Sequence, residues 1–134
     1  MSQENVELFR RGAEAWDRGD LDELLALYDA EAELDFVRFE GWVERPVFRG
    51  RAAIRAFFEQ WREAFADYRY VVERYVDAGE RVLALCSQSG AGPGSTGLAM
   101  MRLAQIATFK DGLIVRMENY SDREQALDAV GLSE

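Results

Sequence analysis

Three side chains of this chain are the candidates for acid–base chemistry: Tyr28 in "LALYDAE", Asp35 in "AELDFVRF" and Asn119 in "VRMENYSD". Asp35 is the best acid of the three, because a carboxyl raised by burial can exchange a proton near neutral pH. Tyr28 can donate a hydrogen bond. Asn119 has nearly the shape of a carboxylate but cannot accept a proton at neutral pH, so its contribution is limited to orienting a carbonyl, a hydroxyl or a water. The chain holds no histidine, which removes Ser-His-Asp and Cys-His nucleophile systems, histidine metal sites and the usual general base at pH 7. The expectation is therefore no metal and no cofactor. The glycine-rich "GAGPGSTG" is not a phosphate cradle, since no Lys follows its glycines and it leads into a strand, whereas phosphate loops feed a helix N-terminus.

The elements that must position these residues are legible from periodicity. Val6, Phe9, Ala13 and Trp16 recur at helical spacing up to Gly19, and Asp20 with Glu23 has capping-box spacing ahead of a second helix. That second helix is read as burying Leu21, Leu24, Leu25 and Tyr28. From "EAELDFVRF" the period becomes two, placing Leu34 and Phe36 on one face and Asp35 on the other, solvated one. "GWVERPVFRG" reads as a covering loop carrying Trp42, and after Gly50 a third helix presents Ile54, Phe57, Phe58, Trp61 and Phe65 on one stripe. The rest is a hairpin meander, "YRYVVERYV", "RVLALCSQS", "LAMMRLAQIATF" and "LIVRMENY", with a "KDG" turn before the last strand. On that strand Met117 and Asn119 share the inward face, as Leu103 and Gln105 do on the strand before it. Ser121 and Glu124 are spaced to cap a final short helix.

The length of 134 residues fits one domain, 1–134, with helices mostly first and strands mostly last, which is an α+β arrangement. Net charge is −9, which disfavours nucleic acid and anionic membranes because a phosphate-binding face needs clustered cations. No apolar run approaches the length of a membrane span. The single Cys86 rules out an internal disulfide and is compatible with the cytoplasm.

The segments "AWDRGDLDELLALYDAEAEL", "FRGRAAIRAFFEQW" and "FKDGLIVRMENYSDREQALDAVGL" together resemble a SnoaL-like member of the nuclear-transport-factor-2-like, or ketosteroid isomerase-like, superfamily, over nearly the entire chain. The resemblance implies a cone-shaped, curved antiparallel sheet wrapped around N-terminal helices, open at one end, and a homodimer paired through the outer sheet face. It also implies a pocket, which places Trp16, Tyr28, Phe36, Trp42, Phe58, Trp61, Leu103, Gln105, Met117 and Asn119 on its wall. It does not imply one reaction. The tyrosine that ketosteroid isomerases carry on the first helix falls at Gly12, their base at Phe36 beside Asp35, and their protonated acid at Gln105. The last-strand carboxylate of polyketide cyclases and epoxide hydrolases falls at Asn119.

The leading expectation is a protein that binds a small hydrophobic molecule in an apolar pocket of a few hundred Å³. The alternatives are an isomerase, polyketide cyclase or epoxide hydrolase working through Asp35, Tyr28 or a water held by Asn119, and a non-catalytic protein-interaction domain using the outer sheet.

Overall fold

The computed structural model of the chain describes residues 2–40, 42–91 and 99–132. Helix α1, Ser2–Arg18, buries the expected stripe and ends where Gly19 turns to φ +79°, with the Asp20 N–H donating back to the Ala15 carbonyl at 2.8 Å. Asp20 caps α2, Leu21–Ala26, by accepting from the Glu23 N–H at 3.1 Å. Strand β1 runs Tyr28–Asp35, β2 Val47–Arg49, and helix α3 Arg51–Ala64. Long strands β3, Ala66–Ala78, β4, Arg81–Ala91, and β5, Ala99–Lys110, lead to β6, Leu113–Tyr120, and helix α4, Arg123–Ala129. Asp111 and Gly112 both take positive φ in the β5–β6 turn, which is the two-residue hairpin geometry that Asp-Gly favours.

The six strands form one curved sheet in the order β2-β1-β6-β5-β4-β3, with β1 parallel to β6 and every other neighbour antiparallel. Alternation sorts the side chains. Leu34, Val82, Ala84, Ala107, Phe109, Ile114 and Met117 face the concave side and form one core with Phe9 and Ala15 of α1 and Ile54 and Phe58 of α3. Leu83, Leu85, Ala104, Ile106 and Tyr120 face the convex side, where Ala126 and Leu127 of α4 cover them. Ala84 and Ala107 lack bulk, so the helices can approach the sheet closely at its centre.

Three details differ from the sequence reading. Tyr28 is not on α2 but opens β1, because the Leu27 carbonyl accepts the Ile114 N–H at 2.8 Å and draws the chain into parallel pairing with β6. The covering loop contains β2, which pairs antiparallel with β1. The cap of α4 is Asp122, accepting from the Glu124 and Gln125 N–H groups, while Ser121 Oγ instead accepts the Glu40 N–H at 2.9 Å. That contact ties the loop after β1 to the start of α4. The core of the "GAGPGSTG" hairpin loop, 92–97, lies outside the described residues.

Candidate functional site

Between the helices and the concave face lies a cavity with about 90 Å³ of water-accessible space. At about 10–15 Å³ per water on that measure, and about 30 Å³ of liquid for each, it can hold a solute of roughly 180–270 Å³. All ten residues expected on the wall border this cavity. Trp16 from α1 meets Phe58 at 4.9 Å between centroids, and Phe58 meets Tyr28 edge to face at 6.2 Å. Phe36 contacts Trp42 at 4.9 Å and Phe57 at 5.2 Å, so the rim is a raft of rings. Leu103, Gln105, Met117 and Asn119 provide the floor from β5 and β6. Sequence reasoning missed Tyr70 and Gln88. The inward period of "YRYVV" and "CSQS" carried the signal for both.

The polar groups of the floor are joined in a line across the sheet. Tyr70 Oη donates to Gln105 Oε1 at 2.5 Å, Gln105 Nε2 donates to Asn119 Oδ1 at 2.8 Å, and Asn119 Nδ2 donates to the Asp35 carbonyl at 3.2 Å. A second set starts on α1, where Trp16 Nε1 donates to the Tyr68 hydroxyl at 2.8 Å and Tyr68 donates to Gln88 Oε1. Tyr68, Tyr70 and Asn119 are buried and Trp16, Gln88 and Gln105 half-buried, and the groups satisfy one another. Burial also holds the tyrosine hydroxyls protonated, raising Tyr68 above its ordinary value and Tyr70 well above it. Cys86, beside Gln105, has its thiol pushed up to about 12 by burial.

Asp35 does not join the cavity wall. It points to the convex side, as the strand period expects, but it is 4% exposed rather than solvated. Arg116 Nη2 donates to its Oδ2 at 2.6 Å and the Val37 N–H to its Oδ1 at 2.7 Å. Position Gly12 borders the cavity, yet a Cβ there would stand 3.3 and 3.4 Å from the Leu27 and Leu24 side chains. A side chain in that place needs the Leu27 and Leu24 methyl groups to give by a few tenths of an ångström. Among the described residues no His, Cys, Asp and Glu cluster is arranged to hold a metal ion, and no helix is long and apolar enough to cross a membrane.

With this geometry in view, the family model described as a SnoaL-like domain matches residues 9–117. The chain belongs to the SnoaL-like domain family. Solved structures agree on the fold of this SnoaL-like protein. A nuclear-transport-factor-2-like protein of unknown function from Burkholderia pseudomallei K96243 superposes with a TM-score of 0.77 at 19% identity, covering 96% of this chain and 98% of its own. A provisionally named polyketide cyclase from Xanthomonas campestris pv. campestris gives 0.72 at 25% identity, with 96% and 98% covered. TerC, co-crystallised with polyporic acid, gives 0.76 at 18% identity, with 95% and 98% covered. No curated protein matches the chain at a significant level. The SnoaL-like assignment fixes the architecture, and the chemistry must be read from the cavity itself.

Proposed function

We propose that this SnoaL-like protein binds a small, uncharged, largely apolar molecule in the cavity and does so without acid–base chemistry. The observation that carries the reading is that, among the described residues, no carboxylate, lysine or arginine borders the cavity, while nearly all the polar side chains there already hydrogen-bond within the protein. A site built for proton transfer keeps a titratable group within hydrogen-bond reach of the reacting atom, and Asp35 is turned to the other face. TerC, of the same fold, was crystallised with an organic ligand, which supports a ligand-holding role for such a cavity. A homodimer paired through the outer sheet face, where Val71 and Met100 stay exposed, and residence in the cytoplasm belong to the same proposal.

Titration with tetralin, a bicyclic hydrocarbon of suitable size, followed by calorimetry and by crystal soaking, tests it. Saturable one-site binding with the ligand ordered between Trp16, Phe58 and Met117 is expected. Absence of saturable binding by apolar bicyclic compounds would refute it. The enzyme reading makes a separate demand: if a turnover is found, Asp35→Asn must abolish it for Asp35 to be the acid.

A further inference from the structure

The polar atoms around the cavity are not all alike, and the difference points to what a ligand must carry. Trp16, Tyr68, Tyr70, Gln88, Gln105 and Asn119 are bound to one another or to backbone. Trp42 Nε1 donates to Glu44 Oε1 at 2.8 Å, and two further donors have no such bond. Trp61 Nε1 is buried without a partner in hydrogen-bonding geometry, but it lies beside the Tyr68 hydroxyl and acts to lower that group's pKa, with Phe57 and Phe65 packed near its ring. Tyr28 is different. Its side chain is 98% buried, borders the cavity and packs on Phe58, and its hydroxyl makes no hydrogen bond to any described residue. Burial alone raises its pKa, with no bonded group or charge acting on it, so the proton stays on the oxygen.

A hydroxyl with no protein partner that borders an otherwise apolar cavity is free to donate to whatever occupies that cavity. A phenol is a strong donor and a weak acceptor, so the group that satisfies it is a lone pair. We infer that Tyr28 is the recognition residue of the cavity and that its ligand is a neutral apolar molecule bearing a hydrogen-bond acceptor, a carbonyl or ether oxygen. This rests on the proposed ligand-binding role and narrows it to a chemical class. The carbonyl oxygen lies toward the start of β1, with the hydrocarbon body extending along Phe58 and Trp16 toward the floor. Charged ligands are disfavoured because, among the described residues, no opposite charge borders the cavity to replace their hydration.

The experiment compares 1-tetralone with tetralin, which differ by one carbonyl, in calorimetric titrations of the intact protein and of Tyr28→Phe. Wild type should bind the ketone roughly tenfold more tightly than the hydrocarbon, and Tyr28→Phe should lose about that factor for the ketone while binding tetralin as before. Since no intramolecular hydrogen bond is removed, Tyr28→Phe should melt at the same temperature as wild type or higher. A wild-type readout accompanies it: the 13Cζ resonance of Tyr28 should shift with tetralone and not with tetralin. Equal affinities for the two compounds, unchanged in the variant, would overturn the assignment of Tyr28 while leaving the cavity a binding site. A lowered melting temperature in Tyr28→Phe would likewise overturn it, by revealing a partner for the hydroxyl within the protein. If neither compound binds, the binding role itself fails and this inference falls with it.

Discussion

Replacing Asn119 by Asp restores, at one atom's cost, the carboxylate that a base at this position would need, and the hydrogen bonds around it dictate how badly that group fits. One oxygen of the new carboxyl keeps the Gln105 Nε2–H as its donor. The other takes the place of Nδ2, 3.2 Å from the Asp35 carbonyl and 3.5 Å from the Met117 carbonyl. Two carbonyl oxygens facing a carboxylate oxygen repel it unless a proton lies between, and the site is 2% exposed. Burial of an acid raises its pKa by up to about 3–5 units, and the one donated hydrogen bond opposes part of that, leaving a rise of about 2–4 units. At about 1.4 kcal/mol per unit, the Asn119→Asp protein should lose roughly 3–6 kcal/mol once the pH exceeds the raised value. That is a large share of the ~5–15 kcal/mol holding a domain together.

The sign follows from which state keeps the proton. Below the unfolded aspartate value of about 3.9 both states are protonated, the new O–H donates where Nδ2 did, and the variant should be close to wild type. As pH rises the unfolded chain deprotonates first, and the folded state loses stability until its own raised pKa is passed. Urea unfolding of both proteins at pH 3.5 and then from 5.5 to 8 measures this while avoiding the sequence pI near 4.6. Wild type, having no histidine, supplies a nearly flat reference between pH 6 and 8. A wild-type-minus-variant difference at pH 8 that is no larger than at pH 3.5 would mean that the floor accepts a carboxylate. The view of Asn119 as an internally satisfied amide would then be wrong.

Other perturbations separate the cavity from its supports. Phe58→Ala removes a ring buried to 7% exposure and should cost about 3–5 kcal/mol in urea unfolding, while letting calorimetry detect a tricyclic hydrocarbon that wild type excludes. Asp35→Ala leaves the Val37 N–H unpaired and frees Arg116 into solvent, so a loss of about 1–3 kcal/mol is expected. Tetralin affinity should not change, and a drop would place Asp35 in the site after all. With its thiol raised to about 12 by burial, Cys86 should react with a disulfide reagent at pH 8 far more slowly in the native protein than in urea. The same raised values of Cys86, Tyr28, Tyr68 and Tyr70 give stability that is present below their unfolded pKa values and lost as pH rises past about 9.

Much of the architecture could be read because local signals and tertiary packing agree. The stripe from Val6 to Trp16 and the Asp-Gly turn at 111–112 each admit one low-energy structure, and both form as read. The inward placement of Gln105 and Asn119 followed from a period of two, which a strand cannot violate without a bulge. Tyr28 and Ser121 went astray for a common reason. A helical stripe through Leu21, Leu24 and Leu25 continues to Tyr28, but it is a distant strand, β6, that claims the backbone at Leu27 and ends the helix there. Ser121 has the spacing of a cap, yet the Glu40 N–H, far away in sequence, takes its hydroxyl.

The fate of Asp35 illustrates the same limit and bears on function. Strand alternation put it on the convex face, and a carboxylate there is ordinarily solvated. Its burial arises because β6, parallel to β1, brings Arg116 alongside. Alternation on β6 places Arg116 and Asn119 on opposite faces, so the arginine that neutralises Asp35 outside and the amide that accepts from Gln105 inside belong to one strand. The two faces are thus fixed together: sliding β1 by one residue to bring a carboxylate inward would strip Arg116 of its partner and carry Leu34 out of the core. For that reason bringing Asp35 itself into the cavity requires a different register of β1, and a single substitution does not supply one.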